Sequence, residues 1–268
     1  MSTIQRITTK RIRAMKGKQK IVSLTAYDYS MARLVDAAGV DMILIGDSLG
    51  MVIQGEETTI PVTLEQMIYH SKLVSRAVEH ALVAADMPFA SYTESVEQGY
   101  HNSVHLLQEG RVSAVKLEGG KELVPLIKKL VHSGIPVLGH LGLQPQMVLQ
   151  YGGFVLQGDT PETAETILEN AIALQDAGVF ALVLEKVPRA LAAKITDTLT
   201  IPTIGIASGP ECDGQILVLY DMLGLQPEVK FKFARRYIEG GELIQNAIGR
   251  YAEDIRAVKF PNDGESYQ

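Results

Sequence analysis

Residues 38–47, Ala38-Gly39-Val40-Asp41-Met42-Ile43-Leu44-Ile45-Gly46-Asp47, contain the unit from which the fold is read. A glycine stops a helical segment, an apolar run follows, and a carboxylate stands at the end of the run. Glycine just past a helix takes the left-handed conformation at little cost. The same order returns at Glu109-Gly110 before Val112–Glu118, at Ser133-Gly134 before Ile135–His140, and at Ala177-Gly178 before Phe180–Glu185. Four more apolar runs, Ile21–Ala26, Leu82–Asp86, Ile201–Ile206 and Ile216–Tyr220, bring the expected strands to eight. Helical spacing occupies Tyr29–Ala38, Leu64–Glu79, Ser95–Glu109, Leu123–His132, Pro161–Ala177 and Arg189–Thr198. Strands alternating with helices make an α/β protein with a parallel sheet. Eight such units in a chain of this length predict a closed (β/α)8 barrel, with an open doubly wound sheet as the alternative. The Gly/Pro-rich connection between strands seven and eight predicts no regular helix there.

The 268 residues show no linker or low-complexity stretch, so one barrel domain is expected over 1–268, with an N-terminal arm or helix over 1–20 and a loose tail over 259–268. Two closing helices, or one, are expected within Arg235–Ala257. Lys plus Arg number 25 against 31 Asp plus Glu, and the net charge of −6 excludes the basic footprint of a nucleic-acid binder. Cys212 is the only cysteine, which excludes an intrachain disulfide and a Cys-based zinc site. No run approaches the ~20 apolar residues of a membrane span. Arg6, Lys10, Arg11 and Arg13 leave an organelle-targeting reading open, but a cytoplasmic setting is expected.

Polar residues gather where the strands end. Asp47, Asp86, Glu118, His140 and Glu185 close five of the runs, with Lys116 two residues before Glu118. In a parallel barrel these ends share one rim, and that rim carries the active site. Alternation puts Lys116 and Glu118 on the face of Ala114, pairs Asp47 with Ile43 and Ile45, and pairs Glu185 with Val183 and Ala181. These faces are expected to point inward, where unpartnered charge is costly. Each residue also has a structural reading. Asp47-Ser48 can cap a helix, Asp86 can shape the turn before Met87-Pro88, and Lys116–Glu118 can be a structural ion pair. His140 can be a core hydrogen-bonding group, and Glu185 can pair with Lys186. Capping explains five strand ends together much less easily than one.

Asp47, Asp86 and Glu118 offer hard oxygen ligands, which suit Mg²⁺ better than Zn²⁺. A 2-oxo acid can chelate such an ion, and Lys116 suits its carboxylate. The ion would stabilise the enolate formed when a neighbouring carbon loses a proton. Glu185 is the best remaining general base. No phosphate loop, H-E-x-x-H pair or nucleophile elbow competes. Gly205-Ile206-Ala207-Ser208-Gly209 reads as a tight loop in preference to a phosphate site.

The segments Leu24–Ser30, Gly46–Met51, Ala85–Phe89, Val115–Gly120, Gly139–Leu143, Leu184-Glu185 with Val187-Pro188, and Cys212–Leu217 together resemble the 3-methyl-2-oxobutanoate (ketopantoate) hydroxymethyltransferase family. The resemblance implies a barrel of the phosphoenolpyruvate/pyruvate type. It implies transfer of a one-carbon unit from 5,10-methylenetetrahydrofolate to 3-methyl-2-oxobutanoate, giving 2-dehydropantoate on the way to pantothenate. It also implies one Mg²⁺ per subunit and a homodecamer. Carried onto this chain, Asp47 and Asp86 are metal ligands and Glu118 acts at the metal through water. Asp47, Ser48, Asp86 and Lys116 are substrate-binding residues, Glu185 is the proton acceptor, and His140 is an active-site neighbour. The chain departs from the family pattern at Ala207-Ser208-Gly209-Pro210 and in the middle of Gly152–Gly158. The alternatives are a metal-dependent 2-oxo acid lyase or decarboxylase on the same barrel, and a catalytically silent barrel serving as an assembly subunit. An Arg pair for a second carboxylate would favour the lyase, and a lost rim carboxylate would favour the silent barrel.

Overall fold

A computed structural model describes residues 6–267. They fall into two compact units, one ending at Leu217 and one beginning at Val218. In the first unit eight parallel strands close into a barrel in sequence order. They are β1 (Ile21–Thr25), β2 (Met42–Ile45), β3 (Leu82–Asp86), β4 (Ala114–Glu118), β5 (Val137–Gly142), β6 (Ala181–Glu185), β7 (Thr203–Ile206) and β8 (Gly214–Leu217). The helices of this unit are α1 (Thr9–Ala14), α2 (Tyr29–Ala37), α3 (Leu49–Val52), α4 (Leu64–Ala77), α5 (Val96–Gly110), α6 (Val124–His132), α7 (Val148–Tyr151), α8 (Pro161–Ala177) and α9 (Arg189–Thr198). The connection between β7 and β8 carries no helix, as its Gly and Pro content predicts. The second unit holds α10 (Leu219–Met222), α11 (Gly240–Arg256) and a 3-10 turn at Asp263–Glu265. Within the tail, residues 259–267 are exposed, and Gln268 lies outside the described residues.

Helix boundaries follow from local chemistry. Thr63 and Gln66 form a reciprocal capping box at the start of α4, which satisfies two otherwise orphaned amides. α8 begins with Thr160 as cap and Pro161 in its first turn, and it ends at Gly178 with φ +104°. Gly39 and Gly134 are left-handed in the same way. Gly110 is not. It is the last residue of α5, and Arg111 takes the left-handed conformation with φ +59°. The reason lies in packing: a Cβ on Gly110 would stand 2.9 Å from Ser71 Cβ on α4. That glycine serves close helix approach rather than chain reversal.

One side of each strand fills the barrel. Ile21, Met42, Leu44, Leu82, Ala84, Ala114, Leu138, Ala181, Val183, Ile204, Ile206 and Ile216 form one buried cluster. Ile12 and Met15 join it, so the N-terminal helix is an integral part of this core and not a free arm. Residues 1–5 of the expected arm lie outside the described residues. Ala84, Ala114, Leu138 and Val183 belong to the cluster, so alternation turns Asp86, Lys116, Glu118, His140 and Glu185 towards the interior as expected. The expectation for Asp47 needs correction. Met42 and Leu44 are the inward residues of β2, and Ile43 and Ile45 lie outside the cluster. Strict alternation would therefore turn Asp47 away. It reaches the interior because β2 ends at Ile45 and the chain turns at 46–48.

Candidate active site

Strand register assembles the rim. Asp86 stands level with Lys116, Glu118 with His140, and Gly142 with Glu185. Gly142 has φ +92°, and a Cβ there would lie 2.2 Å from the Glu185 carbonyl oxygen. Only glycine lets β5 pass β6 this closely. Asp47, Asp86, Lys116, Glu118 and His140 are all buried, none more than 6% exposed. The Glu185 side chain is 19% exposed, so the proposed base is the most accessible charged group of this set.

Lys116 is the positive centre. Its Nζ lies 2.5 Å from Asp86 Oδ1 and 3.3 Å from Glu118 Oε1. Burial opposes its charge, but Asp86, Glu118 and Asp47 outweigh burial and raise its pKa. The Asp47 amide donates to Asp86 Oδ2 at 3.1 Å, which brings the two aspartates together. Asp86 Oδ1, although beside the Lys116 ammonium, has no aligned hydrogen-bond donor. Burial, then Asp86 and Glu118, push the Asp47 carboxyl well above its usual range, and Lys116 and Gln146 offset this only in part. Burial also disfavours ionised Glu118, yet Lys116 and His140 hold it down at about 2.

His140 bridges the two glutamates. Its Nδ1 lies 3.3 Å from Glu118 Oε1 and its Nε2 lies 3.4 Å from Glu185 Oε2. Burial and Lys116 lower its pKa, but Glu118 and Glu185 prevail and hold it at about 9. The imidazolium therefore contributes stability to the metal-free fold that is complete below pH 6.5 and is lost as pH rises through about 9. In metal-free protein the His140 ring resonance should titrate well above neutrality by NMR. His140→Gln should flatten the fall in melting temperature between pH 6.5 and 9. A ring that titrates near 6.5 would remove the bridge.

Ser48 stands at the N-cap position of α3 but makes no capping hydrogen bond. Its Oγ instead lies 2.8 Å from the Tyr27 hydroxyl. Ser208 is structural: its hydroxyl reaches Leu184 O and Ile206 O at 2.8 and 3.0 Å and accepts from the Val187 amide. Gly205–Gly209 is thus a tight loop bound to β6. Two buried residues of the site escaped the strand-end logic. Gln146 donates to Asp47 Oδ2 at 2.8 Å, and Tyr92 donates to Gln146 Oε1 at 2.9 Å. Tyr92 sits in a loop and Gln146 in a 3-10 turn, and no residue pattern along the chain marks them.

The residues fit a hard divalent cation. The raised Asp47 carboxyl, its closeness to Asp86 and the wholly oxygen donor set all suit one. Among the described residues no group of three His, Cys, Asp or Glu side chains is arranged to hold a metal unaided. One or two carboxylates with water and substrate oxygens suffice for Mg²⁺.

Fold and rim together define a (β/α)8 barrel with a buried carboxylate–lysine cluster at the C-terminal ends of its strands. Solved structures share the barrel. 2,3-Dimethylmalate lyase, of the PEP mutase/isocitrate lyase superfamily, is 15% identical with a TM-score of 0.63, covering 98% of this chain and 90% of its own. Phosphonopyruvate hydrolase, solved with oxalate and Mg²⁺, is 12% identical with a TM-score of 0.62, covering 94% of this chain and all of its own. The model of the ketopantoate hydroxymethyltransferase family matches residues 6–263, and the chain belongs to that family of transferases. Its relatives include the 3-methyl-2-oxobutanoate hydroxymethyltransferase of Syntrophus aciditrophicus, 49% identical over 98% of this chain and 97% of the relative. That of Magnetococcus marinus is 48% identical over 96% of each.

Proposed function

We propose that this chain transfers a hydroxymethyl group from 5,10-methylenetetrahydrofolate to 3-methyl-2-oxobutanoate, giving 2-dehydropantoate in pantothenate biosynthesis. Family membership supports the reaction. The observation that carries the mechanism is the packing of Asp47, Asp86 and Glu118 around the Lys116 ammonium at the mouth of the barrel.

In this reading Asp47 and Asp86 would hold one Mg²⁺ per subunit, with Glu118 also acting at the ion. When bound, the ion supplies the positive charge that polarises the keto oxygen and favours the enolate. Lys116 and Ser48 bind the oxo acid, with Asp47 and Asp86 beside it. Two carboxylates balance much of the charge on Lys116, which keeps it protonated in a buried site. Glu185 removes the C3 proton. Its partial exposure leaves it open to the substrate from the rim. His140, held between Glu118 and Glu185, fixes the direction in which Glu185 presents its oxygens. Water releases the methylene carbon from its two folate nitrogens at the formaldehyde level, leaving tetrahydrofolate. The enolate carbon attacks that carbon as its C=O π bond breaks, and the alkoxide so formed takes up a proton to become the hydroxymethyl group.

The same reading makes the protein a cytoplasmic homo-oligomer, a decamer by family resemblance, with small-molecule partners only. Among the described residues no helix is long and apolar enough to cross a membrane. The decisive assay combines 3-methyl-2-oxobutanoate and methylenetetrahydrofolate with and without Mg²⁺. Formation of 2-dehydropantoate only with the metal is the expected result, and no product under either condition would overturn the assignment.

A further inference from the structure

Gln146 lies in the 3-10 turn Pro145–Met147 that follows β5, and it is buried. Four hydrogen bonds tie it to three separate parts of the rim. Nε2 donates to Asp47 Oδ2 at 2.8 Å and to the Met87 carbonyl at 2.9 Å. Oε1 accepts from the Tyr92 hydroxyl at 2.9 Å. The backbone amide donates to Glu118 Oε2 at 3.2 Å. A primary amide has two N–H donors and an oxygen with two lone pairs; both donors are used and the oxygen accepts one bond. Turning the amide over would set its oxygen against both the Asp47 carboxylate and the Met87 carbonyl. Its orientation is thereby determined.

We infer that Gln146 is a positioning residue for the divalent cation, holding one oxygen of Asp47 and one of Glu118 so that the other Asp47 oxygen faces the ion. The inference rests on the metal reading above. A neutral donor is the right chemistry for the task. Lysine or arginine at this place would neutralise Asp47 and compete with the cation, and an apolar residue would leave a buried carboxylate oxygen unpaired. Outer partners of metal ligands act in this way, and losing one commonly weakens metal affinity about 10- to 100-fold.

The test is Mn²⁺ binding, followed by electron paramagnetic resonance, to the full-length protein without substrate. Gln146→Leu should weaken Mn²⁺ binding about 10- to 100-fold while circular dichroism stays native. The same change in an Asp47→Asn background should have little further effect, because the two residues act as one unit. Wild-type affinity in Gln146→Leu, or an equal loss in both backgrounds, would overturn the inference. Should Gln146→Leu not fold, Gln146→Met decides. It keeps the length of the side chain but removes both donors to Asp47 and the Met87 carbonyl, so weakened binding supports the inference and unchanged binding overturns it. Wild-type protein that binds no Mn²⁺, or Asp86→Ala that binds it as well as wild type, would instead bring down the metal reading itself.

Discussion

In the Glu185→Gln variant, exchange of the C3 hydrogen of 3-methyl-2-oxobutanoate with deuterated water should fall by about 10²- to 10⁴-fold. Overall hydroxymethyl transfer should fall with it, and Mg²⁺-dependent binding of the oxo acid should persist. The substitution keeps the size and planarity of the side chain and its place beside His140, 3.4 Å away. It removes the basic oxygen. Asp86 and Glu118 are already engaged by Lys116 at 2.5 and 3.3 Å, and Asp47 accepts from Gln146 and is buried, so Glu185 is the carboxylate of the four that is open to substrate from the rim. Glu185 stands across His140 from Glu118, at the accessible side of the cluster. Exchange is measured by NMR without folate, which separates proton removal from carbon transfer. Undiminished exchange would take the role of base from Glu185.

Asp86→Ala and Asp47→Asn should move metal-free stability in opposite directions while both weaken Mg²⁺ binding. Asp86 is the nearest partner of the buried Lys116 ammonium. Deleting one side of a buried ion pair costs about 3–5 kcal/mol, because the remaining charge is left uncompensated. Asp86→Ala should therefore melt earlier and lose metal and oxo acid together. Asp47 differs. Burial, then Asp86 and Glu118, raise its carboxyl well above the usual 3.8. A raised carboxyl favours the fold fully only below its unfolded value, and that contribution is lost as pH rises through the folded value. Ionised, Asp47 adds a like charge beside Asp86 and Glu118, which strains the metal-free fold. Asn keeps the shape without the charge, so Asp47→Asn should melt later than wild type without metal and gain less than wild type from added Mg²⁺. Wild type gains stability from the metal by mass action. Scanning calorimetry at pH 7 with and without Mg²⁺ reads both signs. A lower metal-free melting temperature in Asp47→Asn would contradict the like-charge account.

Much of the rim was readable along the chain, and the reason is local. Alternation is a property of one extended segment, so Ala114 alone implies where Lys116 and Glu118 point, and Val183 implies Glu185. The same rule fails at Asp47, because β2 stops at Ile45 and its inward set is Met42 and Leu44. Gly110 shows a related limit. A glycine near a helix end reads as a stop, yet its function here is set by Ser71 on another helix.

By itself the sequence determined the alternating architecture, the set of charged strand ends and the family to which the chain belongs. All three depend on residue order and local periodicity. Only the tertiary structure decided which atoms meet: Lys116 between Asp86 and Glu118, His140 between two glutamates, and Gln146 reaching Asp47 from 99 residues away. Closure of the barrel sets strand register, and register brings together groups that nothing in their own segments links.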